Sequence, residues 1–267
     1  MASSSPDIVG IDFSGAKDAG RHIWITEGDI SSGILSVSHC TRADDIFGMT
    51  DRDLIFDNLV NWIESLPTTT VGIDFPFGVP EVVATVMFQA NSWLDFADSS
   101  LWSGLNADQF RQQCRNLCNS EVRDTDAMNR ADCPHDIRIY KQTFHGIKNV
   151  LRPLLDSNVS VAPMVNNGNP TVLETYPAAT LAQQEGLFAT RYKGSQSPRN
   201  RLKRNVRALG GIQDLNISAI SNNKIAGNRG GDALDSIIAA LATFRSVSNS
   251  NPFKINPQTP IEGHIYV

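Results

Sequence analysis

Cysteine is scarce. Four residues, Cys40, Cys114, Cys118 and Cys133, in a chain of 267 do not make a disulfide scaffold. Long apolar runs are missing as well, and none approaches the length needed to span a bilayer. The first residues, Met1 to Pro6, show no basic stretch followed by an apolar one, so a signal peptide is not expected and a cytoplasmic chain is the simplest expectation. Long linkers and compositional breaks are also absent. Residues 1–267 are therefore expected to form a single domain, with 80–136 as a helical insertion. With 19% charged and 41% apolar residues, the composition is that of an ordinary globular protein and excludes disorder.

The charge that is present is unevenly placed. The net value is −5, yet residues 186–231 hold nine basic side chains and one acid, Asp214, so that segment carries +8 and the remainder −13. A mildly acidic protein with one basic tract grips an anion locally without binding polyanions indiscriminately, whereas a solvated helix face would read the same way. Cys114, Cys118, Cys133 and His135 present three thiols and an imidazole that zinc would accept. The i,i+4 spacing of Cys114 and Cys118 equally describes two reduced thiols facing a core.

Ile8–Phe13 is an apolar run ended by Ser-Gly and predicts a buried strand; Thr70–Phe75 is a second, broken at Pro76. Alternating stretches at 22–26 and 34–39, separated by the turn-rich 28–33, predict antiparallel neighbours of the first strand. Helical periodicity marks 51–66, 137–155 and 232–247, with helical pieces near 81–90 and 107–121. Two further strands are expected at 159–161 and 171–176, and Pro177 opens another helix. Ser197-Pro198 reads as an N-cap and first turn for a basic helix with Leu202, Val206 and Leu209 on its apolar stripe. The tail Glu262–Val267 is expected to add a short edge strand or to pack over a cleft. The tetrad Gly-Ile-Asp-Phe occurs at 10–13 and again at 72–75, which predicts two strands in equivalent environments.

Aspartate carries the chemistry. Asp12 and Asp74 each lie near the end of an apolar strand, where a carboxylate is costly unless paired, protonated or on a metal. Asp232 and Asp235 open the last helix at i,i+3 spacing and share one face of it, although Asp232 after Gly230-Gly231 is also a good N-cap. In α/β sheets, sites gather at the carboxyl ends of strands. The expectation is a shared magnesium (or manganese) site made by Asp12, Asp74, Asp232 and Asp235. Magnesium takes oxygen ligands and keeps waters that a phosphate can displace, and two ions about 3.5–4 Å apart suit phosphodiester cleavage. Glu174, also in a strand, is a further catalytic candidate as ligand, as water-orienting base, or as partner for an arginine.

These segments resemble a known family. Gly10-Ile-Asp-Phe-Ser-Gly15, Ile73-Asp-Phe-Pro-Phe-Gly78, Glu174-Thr-Tyr-Pro177, Asp232-Ala-Leu-Asp235 with Ala239-Ala240, and Glu262-Gly-His-Ile265 are similar to the family termed domain of unknown function 429, grouped with ribonuclease H-like folds. The Asp-x-x-Asp helix also resembles the last helix of RuvC-type Holliday-junction resolvases. The resemblance implies an α/β fold whose five-stranded mixed sheet has three antiparallel strands, then two parallel ones, with helices on both faces. It implies that Asp12 is the first-strand acid, Asp74 the fourth-strand acid, and Asp232 and Asp235 the acids of the C-terminal helix. Resolvases typically carry glutamate on the fourth strand, so Asp74 reaches one methylene less.

Three functions compete at this stage. The first is a magnesium-dependent nuclease in which Lys193, Arg199, Arg201, Lys203, Arg204 and Arg207 hold nucleic-acid phosphates, DNA or RNA. In that case Trp93, Phe96 and Trp102 either stack on bases or pack into core or lid. The second is a phosphotransferase or ATPase, because Asp12–Lys17 resembles the phosphate loop of actin-like kinases. The third is a non-catalytic nucleic-acid binder that uses the basic tract alone.

Overall fold

The computed structural model describes residues 5–193, 200–248 and 261–267. Among the described residues, eight strands form one mixed sheet: β1 (Ile8–Asp12), β2 (Trp24–Ser31), β3 (Ile34–Arg42), β4 (Thr70–Asp74), β5 (Ser160–Ala162), β6 (Thr171–Thr175), β7 (Leu215–Asn216) and β8 (Ile265–Tyr266). Their order is β5-β6-β4-β1-β2-β3-β7, with β8 also on β6. β1, β2 and β3 are antiparallel in succession, whereas β4 is parallel to β1 and β6 is parallel to β4. The family resemblance implied five strands; β5 and β8 match the strands expected at 159–161 and in the tail, and β7, paired with β3, was not anticipated. The β2–β3 turn is tighter than the 28–33 segment predicted. Ser32 and Gly33 both take positive φ (52° and 76°), as a two-residue turn requires, and this lets both strands run to the turn.

Every residue of β1 is buried, as expected of a strand covered on both faces. Odd-numbered Val9, Ile11, Val71 and Ile73 face one core, shared with the Arg52–Glu64 helix and the aromatic residues of the insertion. That helix starts where Asp51 accepts N–H bonds from Asp53 (3.1 Å) and Leu54 (3.3 Å). Ile8 faces the other core, built around the Asp232–Ser248 helix and the stripe of Leu202, Val206 and Leu209.

The repeated tetrad has a packing cause. Gly10 and Gly72 are register partners in β1 and β4. A Cβ on Gly10 would overlap Ala240 N and Ser236 O, and one on Gly72 would overlap the Thr243 side chain. Both glycines therefore let the Asp232–Ser248 helix lie directly on the sheet. The environments of the two copies are equivalent, as the tetrad implied.

Two predicted helices differ in form. The segment 81–90 is helical only over 81–87, and mostly as a π segment, Val83–Met87. The predicted 137–155 helix starts at Tyr140 and passes through a π segment, Ile147–Leu151. Pro153 follows that segment and has no N–H to give Asn149 O, and the wider turn with Arg152 N–H on Ile147 O accommodates this. Residues 80–136 do more than cover the sheet, because Phe88, Phe96, Trp102 and Phe110 pack into the core itself. Among the described residues, no helix is long and apolar enough to cross a membrane.

Candidate functional site

Asp12 and Asp74 end adjacent parallel strands and are register partners. Each lies two residues beyond its glycine and so faces the same helix. The helix runs back over the strands from Ala240 towards Asp235, about 7.5 Å along its axis. Asp12 lies about 6.6 Å further along β1 than Gly10. The two displacements nearly match, and they bring Asp235 over Asp12.

Asp235 is fully buried. It accepts a hydrogen bond from Tyr192 Oη at 2.6 Å and an ion pair from Lys193 Nζ on its other oxygen. Asp232, half-buried at the helix start, accepts from Asn228 Nδ2 at 3.2 Å. Burial holds the Asp12 carboxyl well above its ordinary value; Asp235 adds to this and Lys193 opposes it. Burial likewise lifts Asp74 to about 7, with Lys193 opposing, Asp235 and Glu174 reinforcing, and a hydrogen bond to Asp12 opposing. Asp232 is raised by burial, and the charge of Asp235 contributes further. Lys193 loses charge stability through burial, yet Asp235, Tyr192, Asp12 and Asp74 together hold it above the ordinary lysine range. One ammonium thus stands against four carboxyl groups.

Asp74, Asp235 and Lys193 open onto a cleft of about 260 Å³, whose other wall includes Gln142 and Tyr176. Gln142 Nε2 donates to the Asp74 carbonyl and ties the Tyr140–Gly146 helix to the strand end.

Of the roles open to Glu174, catalytic ligand, water-orienting base or arginine partner, the structure shows the arginine pairing. Its carboxylate takes two bonds from Arg123, Nη1 to Oε2 at 2.9 Å and Nη2 to Oε1 at 2.5 Å, and a third from Phe77 N at 2.8 Å. It is an arginine partner, and only its charge reaches Asp74. The other edge of the fully buried Arg123 holds Asp126 through Nε (2.8 Å) and Nη2 (2.6 Å), and Nη1 also donates to Glu262 O at 3.1 Å. Glu262 in turn accepts from the backbone of Glu81 and Asp124. Its segment leads into β8, so the tail forms the edge strand that its sequence implied.

The basic tract is divided. Lys193, expected among the phosphate contacts, forms an ion pair with the buried Asp235 carboxylate. Arg201 donates to Thr190 O at 3.1 Å and shares the Phe188 ring with Arg204, each 4.9 Å from its centroid. Lys203, Arg204 and Arg207 are exposed on the Asn200–Leu209 helix. Arg199 and the Ser197-Pro198 cap lie outside the described residues.

Trp93, Phe96 and Trp102 are buried. Trp93 Nε1 donates to Phe77 O and Trp102 Nε1 to Phe96 O, both at 2.9 Å, so these rings serve the core and not base stacking. Burial raises the thiols of Cys114, Cys118 and Cys133 above their ordinary range, Cys118 to about 11. His135 Nε2 bonds Asn119 O at 2.7 Å. Among the described residues, no three His, Cys, Asp or Glu side chains converge as they stand on one metal position, at the thiols or at the aspartates.

Sequence reasoning missed Tyr192, Arg123 and Asp126. The i,i+3 spacing of Arg123 and Asp126 was visible, but it reads like any exposed helical pair. Comparison with family models, with curated proteins and with solved structures returns no match.

Proposed function

We propose that this chain is a divalent-metal-dependent nuclease built on a ribonuclease H-like sheet. One observation carries the reading: at the strand ends, the carboxyl groups of Asp12, Asp74, Asp232 and Asp235 lie within one another's electrostatic reach, with the Lys193 ammonium among them. The strand order β3-β2-β1-β4-β6 supports the fold assignment.

The donor set fits magnesium or manganese in kind, being hard oxygens with unbalanced negative charge. Lys193 already lies where positive charge is wanted. Asp12, Asp74, Asp232 and Asp235 would hold one or two ions. When bound, such ions polarise a phosphoryl oxygen and make water acidic enough to attack phosphorus.

The chain's own groups prepare this site. Tyr192 fixes the rotamer of Asp235 through its hydroxyl bond. Burial raises both Asp12 and Asp74, which favours the protonated carboxyl there in the absence of a cation. Lys203, Arg204 and Arg207 supply phosphate contacts along the exposed helix face. The cleft beside Asp74 is large enough for a phosphate.

The test is cleavage of labelled single- and double-stranded DNA and RNA with magnesium or manganese. Asp12→Asn is expected to abolish cleavage while leaving nucleic-acid binding; full activity in that variant ends the proposal. The Lys193–Asp235 pair favours one alternative, a non-catalytic nucleic-acid-binding protein in which the ammonium permanently replaces a metal. That alternative requires that neither ion alters thermal stability.

A further inference from the structure

A second pocket, about 640 Å³, opens on the opposite face of the sheet from the aspartates, beside the loop that follows β1. Gly15 and Lys17 of that loop form one side, and the starts of the Arg52–Glu64 and Ala107–Cys118 helices form the others. Gly15 packs so closely on the Lys141 carbonyl that a Cβ there would touch it at 2.5 Å. The loop and the Tyr140–Gly146 helix are therefore held together, with Lys141 lining this pocket and Gln142 lining the aspartate cleft.

Lys17, Lys141 and Lys148 line the pocket, and none of them has a carboxylate partner among the described residues. Lys148 Nζ donates one bond to Leu105 O (3.1 Å) and has two N–H groups left. The acids nearby are exposed at the rim, and two are already engaged: Asp53 by Arg52 at 3.1 Å and Asp108 by the Tyr140 hydroxyl at 2.8 Å. Asp57 is the third.

His145 lies at the pocket wall with 9% exposure. Asn149 Nδ2 donates to its Nδ1 at 3.2 Å, which leaves the proton on Nε2. No acceptor for that N–H is found among the described residues, and the ring lines the pocket. Burial, reinforced by Arg52, Lys148 and Lys141 against Asp53, holds this imidazole neutral down to about pH 4. A neutral N–H donor beside three lysines that lack a carboxylate partner, two of them resting over the Tyr140 and Phe144 rings, suits an anion. Phe56, Phe144 and Leu105 give the same pocket an apolar side, and its volume exceeds what a bare phosphate fills.

We propose that this pocket binds the phosphate group of a nucleotide, with the His145 Nε2–H and the ammonium groups of Lys17, Lys141 and Lys148 as donors and the apolar side against the nucleoside. The group reaches it either on a free mononucleotide or as the terminal phosphate of an oligonucleotide. The proposal is independent of the metal reading.

The test follows the imidazole signals of His145 by NMR in the full chain with a chelator present. The probes are inorganic phosphate, adenosine monophosphate, adenosine, and a 5′-phosphorylated oligothymidylate. Saturable shifts with the phosphorylated probes and none with adenosine are expected, and Asp12→Asn protein is expected to respond as the parent does. In a Lys17→Gln/Lys141→Gln variant, both positions being exposed, affinity is expected to fall about tenfold or more. Tighter binding of the mononucleotide identifies a free nucleotide as the source, and tighter binding of the oligonucleotide identifies a strand end. Unmoved His145 signals, equal affinity in the double variant, or adenosine binding as well as its monophosphate would overturn the proposal.

Discussion

Asp74→Asn is expected to stabilise the metal-free protein at pH 8 and to remove its response to magnesium. In the folded protein the Asp74 carboxyl is lifted from 3.8 to about 7, mainly by burial. A raised folded value means that the protonated form is favoured by folding. The associated stability is complete below about pH 4 and is lost as the pH climbs through 7. At ~1.36 kcal/mol per pH unit the full difference is ~4 kcal/mol, an upper bound. Asp74 keeps some solvent contact and shares a hydrogen bond with Asp12, and each reduces that figure, so ~2 kcal/mol is the working expectation. For a chain of this size that is about 4–8 °C in Tm. The assay is thermal melting of parent and variant at pH 5 and pH 8, with chelator and with magnesium. The parent is expected to lose stability between the two pH values and regain it with the ion, by ~2.7 kcal/mol at a hundredfold excess over Kd. The variant should show a weaker pH dependence and no gain from magnesium. A variant less stable than the parent at pH 8, or a parent indifferent to pH over this range, refutes the argument.

Three further substitutions probe the geometry. Gly10→Ala forces a methyl group into the backbone of the Asp232–Ser248 helix and is expected to cost ~1–3 kcal/mol or more in urea unfolding, with metal affinity falling as the helix lifts. Arg123→Leu leaves Glu174 and Asp126 as uncompensated buried charges, so a loss of ~3–5 kcal/mol is expected by denaturant titration. Lys193→Gln removes the competing ammonium from Asp235, and manganese affinity measured calorimetrically is expected to rise; a fall would mean that Lys193 does not compete with the ion.

The acids were legible because their signal is local. An apolar run that stops at a carboxylate, as at Asp12 and Asp74, announces a buried strand with a charge at its end, and the Asp232/Asp235 spacing announces one helix face. Strand direction and pairing followed from short connections for β2 and β3, whereas β7, only two residues long, left no pattern to read. The insertion was the least legible part, since its helices are short and its aromatic residues meet across tens of residues, as Trp102 does with Phe144.

The amino-acid sequence by itself determined which residues end the central strands, that Asp232 and Asp235 share one helix face, and where acidic and basic charge concentrate. All of these depend on neighbours within a few positions. Only the tertiary structure decided that Lys193 leaves the basic tract for Asp235, that Glu174 answers Arg123 across 51 residues, and that His145 lines one pocket with three lysines. Burial sets the physical reason. A charge enclosed by the fold pairs with whatever opposite charge the packing brings near, and linear spacing does not encode that partner.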